Sequence, residues 1–362
     1  MNYLDRIQAL KARLEAMASP AKLDLPFVES RPPTQAFSEF LTNKEQGDWA
    51  EATFIANFNR TQSKLWAVKY GRSEDLVAGE PGFDAYYRNY QAELMAIGKR
   101  PDLLIFDRAW FAARWGDATD ISALACAELD ALVSQAKYAV EVRSSAFISR
   151  TYDAVAARSQ AQYRDDISHC ARDLLENYRK ELKLLPGWQD FCEAWLRGGL
   201  DAAGNAPRAA SKRSTELLAQ ASDLTKEIKT ALRSMGSRDF LSITPKAEDL
   251  SLVYRWIERF DVPHYYCQVF FDRAVLLSFE DILTVLATPE RAGTAYFIEA
   301  DEKKQRKVVV KINVALGREV MSAVKIPEHQ SAMKQLPKGR LLFYVRFSPS
   351  AAEMNELSLL PC

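Results

Sequence analysis

The chain has 362 residues, of which 48% are hydrophobic and 27% are charged, and its 48 basic residues balance 48 acidic ones. This composition is ordinary for a soluble globular protein, and the zero net charge argues against a protein that coats nucleic acid without specificity. The five cysteines lie far apart and the three histidines stand in no ligand spacing, which argues against a disulfide framework, a zinc site or a histidine-based hydrolase. We expect a cytoplasmic protein without a signal peptide or membrane span, because the start carries acidic residues and no apolar run is long enough.

The first half of the chain alternates between predicted helices and strands. Apolar residues at helical spacing predict an opening helix at 3–17, and four prolines predict a surface linker at 19–35. A second helix is predicted to begin near Asp48. The elements expected after it are a strand at 65–71, a helix at 85–98, a strand at 102–107, a helix at 121–136 and a strand at 137–143.

The second half contains a long block of helical pattern at 153–235. The elements expected after it are a helix at 248–260, a strand at 264–271, a helix at 278–287 and several strands in the C-terminal part. The predicted fold class is therefore α/β, a mixed β-sheet flanked by helices, with a helical insertion and a β-rich C-terminal part. The predicted segments are an N-terminal helix and linker at 1–40, a core at 41–152 and 236–300, the insertion at 153–235, and a basic β-rich segment at 301–362.

Two predicted strands carry acidic residues that could share a metal ion. Pro101 precedes Asp102 at the start of one strand, and Glu141 and Arg143 interrupt the apolar strand YAVEVR. Residues two apart on a strand face the same side, so Glu141 and Arg143 point together. A buried carboxylate is costly unless it is paired or bound to metal. On neighbouring strands, Asp102 and Glu141 could supply two oxygen ligands for Mg²⁺, with waters in the remaining positions.

These residues resemble the signature of the PD-(D/E)XK nucleases, in which a strand-borne Asp and Glu bind metal. Pro101-Asp102 is similar to its first part, and Glu141-Val142-Arg143 is similar to its second. The run VYRWIERFDVPHYYCQVFFDRAVLLSFEDIL at 253–283 resembles the later helix–strand–helix of type II restriction endonucleases of the AccI kind. The resemblance covers residues 40–300 and implies a restriction-endonuclease-like core.

The resemblance also implies a function. It implies a type II restriction endonuclease that hydrolyses phosphodiester bonds of double-stranded DNA at a palindromic site, with Mg²⁺ held by Asp102 and Glu141. The metal would lower the pKa of a water and neutralise charge on the phosphate. Cutting both strands implies a homodimer, and a cognate methyltransferase is expected in the same system but not as a bound subunit. Glu51 is similar to an acid that the helix before the core often contributes in such nucleases.

The chain departs from the signature in two ways. Arg143 stands where the family usually has lysine, and an arginine cannot accept a proton because its pKa exceeds ~12. Arg143 would instead orient the attacking water or stabilise charge on the phosphate. The gap between Asp102 and Glu141 is also long for the signature, and we assign the excess to the helix predicted at 121–136.

Each candidate also has a purely structural explanation. Asp102 could be a turn residue that starts a strand, and Glu141 with Arg143 could form an ion-paired sheet edge. Glu51 follows Asp48 by three residues, which is the spacing of a capping box at the start of a helix.

Basic residues are concentrated in the C-terminal part of the chain. From Lys303 to Arg346 there are eleven Lys and Arg residues against two acids, Glu319 and Glu328. Such an excess forms either a solvated face or a DNA-binding surface. The candidate DNA-binding residues are Lys69, Arg72, Arg150, Lys307 and Lys311.

Two other functions remain open at this point. One is a repair or recombination nuclease of the same fold that cuts without sequence specificity, which would smear plasmid DNA instead of giving discrete fragments. The other is a DNA-binding protein whose catalytic site has decayed, for which Arg143 in place of lysine is the best argument.

Overall fold

The structure is a computed structural model that describes residues 2–17, 19, 21–72, 76–124, 126–156, 160–211, 213–235, 240–301 and 307–355. The chain divides into two compact units, one formed by Met1–Ser149 with Ser242–Cys362 and the other by Arg150–Leu241. Within the ranges above, no helix combines the length and the apolar character that crossing a membrane requires.

The helices and strands are numbered in chain order. The helices are α1 (Tyr3–Ala16), α2 (Ser38–Thr61), α3 (Phe83–Ile97), α4 (Arg108–Trp115), α5 (Cys126–Val133), α6 (Ser149–Ala156), α7 (Gln160–Asn177), α8 (Arg179–Leu182), α9 (Trp188–Ala203), α10 (Glu216–Met235), α11 (Ala247–Phe260) and α12 (Phe279–Leu286). The strands are β1 (Leu65–Lys69), β2 (Leu103–Asp107), β3 (Tyr138–Ser144), β4 (Ser242–Ile243), β5 (His264–Val269), β6 (Ala274–Ser278), β7 (Tyr296–Asp301), β8 (Lys307–Asn313), β9 (Arg318–Ser322), β10 (His329–Gln335), β11 (Leu341–Phe347) and β12 (Glu353–Met354).

The first unit is built on a mixed sheet of seven strands in the order β1-β2-β3-β5-β6-β9-β12. β3 and β5 run parallel, and the other neighbouring strands are antiparallel. Two smaller sheets accompany it, one of β10 and β11 and one of β4, β8 and β7. The predicted fold class, a mixed sheet flanked by helices, is confirmed. Two strands of the segment 301–362, β9 and β12, lie in the main sheet.

Helix α2 covers one face of the main sheet. Trp49, Phe54 and Phe58 of α2 are fully buried and share a core cluster with Val140 and Val142 of β3. Burying each such ring contributes roughly 1.5–3 kcal/mol to folding. Because strand side chains alternate between faces, the residues between these valines point to the other face of the sheet. The apolar packing under α2 therefore fixes the direction of the charged side chains of β3.

The second unit is helical, as the periodicity of residues 153–235 predicts. Its described helices pack around a buried core of Ile167, Cys170, Ala171, Leu174, Leu182, Leu185, Trp188, Phe191, Cys192, Trp195, Leu218, Ala221 and Ile228. The glycine pair at Gly198 and Gly199 has non-helical dihedral angles and kinks α9 before its end.

The prediction that the second helix begins near Asp48 is wrong. Helix α2 begins at Ser38, so Asp48 lies well inside it, where backbone N–H groups are already bonded within the helix. The Asp48 carboxylate instead forms an ion pair with Lys44 one turn earlier, at 2.6 Å. The capping-box explanation of Glu51 is therefore wrong as well, because no helix starts there.

Three further elements differ from the sequence-based expectation. Strand β6 was not predicted, because its apolar run AVLLS shows no alternation that separates a buried strand from a helix. Helix α4 was also not predicted, and the described part of the helix expected at 121–136 is the shorter α5. None of these differences moves the strands that carry the candidate acids.

Candidate active site

The pairing of β2 with β3 places Asp102 beside Glu141. The two strands are antiparallel with Leu103 opposite Val140, so Asp102, one residue before Leu103, falls opposite Glu141. The Asp102 Oδ2 accepts a hydrogen bond from the Val142 backbone N–H at 2.6 Å, which ties this carboxylate to β3. The structure therefore brings together the two acids that the sequence singled out.

Glu141 is a buried carboxylate held by two cations. Glu141 is only 1% exposed to solvent. Its Oε1 accepts a hydrogen bond from the Lys99 ammonium and lies 3.1 Å from Nη2 of Arg143. Burial by itself would raise the pKa of Glu141, but Lys99 and Arg143 outweigh it and hold that pKa below its usual value. Its Oε2 is buried and has no hydrogen-bond partner within the described ranges. One carboxylate oxygen is thus held by two cations, and the other makes no described hydrogen bond.

Arg143 joins two carboxylates. Its Nη2 lies 3.1 Å from Glu141 Oε1 and also 3.1 Å from Oδ2 of Asp249, which stands in the first turn of α11. Burial would lower the pKa of Arg143, but Glu141 and Asp249 raise it further above its already high value. Arg143 is therefore a permanent cation that connects the main sheet to α11.

Negative charge is crowded around Asp102. Burial raises the pKa of Asp102 well above its usual range, and the neighbouring charges of Glu141 and Glu51 raise it further. Burial also raises the pKa of Glu51, which projects from α2, although Lys69 lies 3.0 Å from its Oε2 and opposes that shift. Such crowding is relieved by a proton or by a bound cation.

The donor atoms of this site suit a hard divalent cation. In the described part of the chain, no three Asp, Glu, His or Cys side chains are arranged to hold a metal ion by themselves. Asp102 and Glu141 nevertheless offer carboxylate oxygens, of which Glu141 Oε2 is buried without a described partner. Mg²⁺ is usually bound by one or two carboxylates, with waters and substrate phosphates completing its shell. The pair therefore fits an ion that shares its coordination with a phosphate.

Three residues of the site were not predicted from the sequence. Lys99 lies three residues before Asp102 in the segment GKRPD, and that proximity was the signal that could have revealed it. Asp249 carried no distinct signal, because an acid in the first turn of a helix is ordinary. Tyr266 lies opposite Glu141 in the β3–β5 register, and its buried hydroxyl has no hydrogen-bond partner within the described ranges.

Two of the candidate DNA-binding residues lie near or beside acids in the first unit. Lys69 on β1 is the partner of Glu51 and so belongs to the site itself. Arg72 lies 3.7 Å from a carboxylate oxygen of Glu93, and its guanidinium stands 4.9 Å from the centre of the Tyr86 ring.

The other three candidates lie elsewhere along the chain. Lys311 on β8 forms an ion pair with Glu299 of the neighbouring strand. Arg150 is an exposed residue at the start of the second unit. The side chain of Lys307 lies outside the described residues. DNA contact by these residues stays a prediction.

Comparison with known proteins identifies a family. The chain matches the family model described as AccI restriction endonuclease over residues 1–360. No curated protein and no solved structure matches the chain.

Proposed function

The chain belongs to the AccI restriction endonuclease family, and we propose that Asp102 and Glu141 form its catalytic centre. A member of this family is a type II restriction endonuclease, a hydrolase that cuts DNA at specific sites. Restriction endonucleases generally use a divalent metal, and Mg²⁺ is the ion that we assign to this site.

One observation carries the assignment to Asp102 and Glu141. Glu141 is buried and ionised, and its Oε2 has no described partner even though Lys99 and Arg143 hold Oε1. Leaving a buried charged oxygen without a partner costs at least about 1–3 kcal/mol. A buried charged oxygen without a partner does not stabilise the fold, so its presence supports a role in binding a ligand. Asp102, opposite it on β2, supplies the second carboxylate.

Each residue of the site has its own proposed role. When bound, Mg²⁺ supplies positive charge beside the phosphate and makes a nearby water easier to deprotonate. Asp102 and Glu141 would hold the ion, and the β2–β3 pairing keeps their carboxylates side by side. Lys99 and Arg143 keep Glu141 ionised, and Arg143 also fixes its orientation. That Arg143 orients the attacking water or stabilises charge on the phosphate stays a prediction. Glu51, whose charge acts on Asp102, adds to the negative potential that attracts the cation.

The substrate of this enzyme is DNA. We propose that it binds a palindromic site on double-stranded DNA as a homodimer, because a two-fold protein matches a two-fold site and offers one centre to each strand. A cognate methyltransferase would act separately on the same site. Lys69, Arg72, Arg150, Lys307 and Lys311 are the proposed phosphate contacts, each expected to add about 0.9 to the salt dependence of binding.

The test is cleavage of plasmid DNA by the purified protein, with and without Mg²⁺. We expect discrete fragments from the wild type, and a loss of about 10³-fold in rate for Asp102→Asn with DNA binding retained. Calorimetric titration with Mg²⁺ should show heat for the wild type and none for Asp102→Asn.

The matched control is Asp223→Asn, which makes the same chemical change at an exposed carboxylate paired with Arg213 and Lys226. This control should cut and bind Mg²⁺ like the wild type. Smeared products, or full activity in Asp102→Asn, would contradict the proposal.

A further inference from the structure

Two cations hold the same oxygen of Glu141, but they are anchored differently. Arg143 shares its Nη2 between Glu141 and Asp249, at 3.1 Å from each, and is therefore tied to α11 as well. Within the described ranges, the Lys99 ammonium donates a hydrogen bond to Glu141 and to no other carboxylate. Lys99 can therefore leave Glu141 without breaking a second ion pair, whereas Arg143 cannot.

The backbone of Lys99 is rigidly placed beside the two acids. Its N–H donates to the Leu252 carbonyl of α11 at 3.1 Å. The preceding Gly98 has φ 79°, a conformation that favours glycine, and any side chain there would collide with that carbonyl. Three residues later the same segment reaches Asp102. A fixed backbone thus carries a flexible four-carbon side chain that ends in a compact charge.

The charges of the site show what releases Lys99. The carboxylates of Glu51, Asp102, Glu141 and Asp249 face the cations Lys69, Lys99 and Arg143, which leaves the set short of positive charge when all are ionised. With a divalent ion held by Asp102 and Glu141, this shortage of positive charge would be removed and Glu141 would no longer need Lys99 as a counter-charge. A phosphate entering beside the ion would attract the same cation. The Lys99 side chain is 20% exposed, so it can turn toward a bound substrate.

We propose that Lys99 is a catalytic residue, which in the DNA complex moves its ammonium from Glu141 to the scissile phosphate, while Arg143 stays bound to Glu141 and Asp249. This inference rests on the proposed function of Asp102 and Glu141. Lys99 remains protonated throughout and acts by stabilising negative charge that develops on the phosphate. In the absence of substrate it neutralises Glu141 and thereby keeps the buried carboxylate ionised.

The test uses Lys99→Gln, which keeps a donor that can bond to Glu141 but removes the positive charge. We expect the single-turnover cleavage rate at saturating DNA and Mg²⁺ to fall by about 10²-fold. The affinity for Mg²⁺, measured by calorimetry without DNA, should stay equal or become tighter, because the variant removes a competitor for Glu141. Lys137→Gln is the matched control at the exposed position before β3 and should leave both quantities unchanged.

Chemical rescue tests whether the missing positive charge itself limits cleavage. In Lys99→Ala, added ethylammonium should restore cleavage severalfold, because the small cation can occupy the vacated space, and Lys137→Ala should show no such response. Cleavage by Lys99→Gln within about twofold of the wild type would overturn the inference. So would Lys99→Ala activity that ethylammonium does not raise. If Lys99→Gln stays active while Asp102→Asn is inactive, only the role of Lys99 fails; if both stay active, the proposed site itself fails.

Discussion

The two units of the chain bury different kinds of residue. In the second unit the core is apolar, and buried Thr225 is fully bonded: its hydroxyl donates to the Ser222 carbonyl at 2.7 Å and accepts from the Ala210 N–H at 3.0 Å. In the first unit Glu141 is equally buried, yet one of its oxygens has no partner within the described ranges.

This difference separates residues that stabilise a fold from residues that carry out chemistry. Satisfying every buried polar group is what stability alone requires. Asp102, Glu141, Arg143 and Asp249 instead form a charged cluster beside β3, an interior strand of the main sheet. Charged groups with shifted pKa values are concentrated at functional sites. If the comparison holds, changes in the second unit should affect stability, and changes in this cluster should affect cleavage.

The largest effect is expected from Glu141→Gln. The amide keeps the shape of the side chain but removes the charge, so the cleavage rate should fall by about 10³-fold, which is about 4 kcal/mol in activation free energy. DNA affinity measured by fluorescence anisotropy should change little. Cleavage at the wild-type rate would show that the charged cluster only supports the fold, and would remove the contrast between the two units.

The next effect concerns the second unit. Leu174 on α7 is completely buried, and Leu174→Ala should lower the free energy of unfolding by roughly 3 kcal/mol through lost burial and the cavity that remains. Leu217→Ala makes the same change at a half-exposed position of α10 and should cost far less. Urea denaturation followed by circular dichroism measures both. Equal losses in the two variants would mean that this core does not stabilise its unit.

An acid-dependent loss of stability is expected from the first unit. His264 is fully buried among the rings of Trp256, Tyr266 and Phe279, and burial lowers its pKa to about 4 from 6.5. Between pH 4 and pH 6.5, His264 is protonated in the unfolded chain but neutral in the folded chain. The stability due to neutral His264 is therefore complete above pH 6.5 and is lost as the pH falls toward 4, by up to about 3 kcal/mol.

His264→Phe tests this dependence, because phenylalanine fills the same aromatic pocket without titrating. Asp102 and Glu141 also titrate in acid, so the informative quantity is the difference in unfolding free energy between the variant and the wild type at each pH. That difference should shift in favour of the variant as the pH falls from 6.5 to 4. If the unfolding free energies of the variant and the wild type fall equally with pH, His264 does not contribute to the acid-dependent loss of stability.

The smallest effect is expected from Gly71→Ala. A Cβ at this position would lie 3.0 Å from the Asp102 Cα, so Asp102 or its strand must shift by a few tenths of an ångström. We expect a loss of several-fold in cleavage rate, on the order of 1 kcal/mol, with the fold retained. Gly47→Ala, inside α2 with nothing within 4 Å of the new Cβ, is the matched control and should cut normally. Normal cleavage by Gly71→Ala would mean that Asp102 tolerates displacement.

Local patterns in the sequence determined a large part of this description. The alternation of Glu141 and Arg143 with apolar residues followed from the two-residue period of a strand, which needs no knowledge of the rest of the fold. Helical periodicity likewise predicted the helices of residues 153–235 and the helix at 248–260. Pro101-Asp102 and Glu141-Val142-Arg143 also carried the resemblance to the nucleases, because motifs of adjacent residues can be recognised without knowledge of the fold.

Only the tertiary structure decided which side chains meet. Lys99 and Asp249 reach Glu141 and Arg143 from distant parts of the chain, and ion pairs between such segments leave no periodic signal. The same holds for β9 and β12, which join the main sheet through pairing with strands far away in the sequence. The start of α2 at Ser38 was hidden because packing against the sheet, more than local propensity, stabilises a helix. Asp102, Glu141 and Arg143 are thus encoded locally, whereas Lys99 and Asp249 are brought to them by the fold.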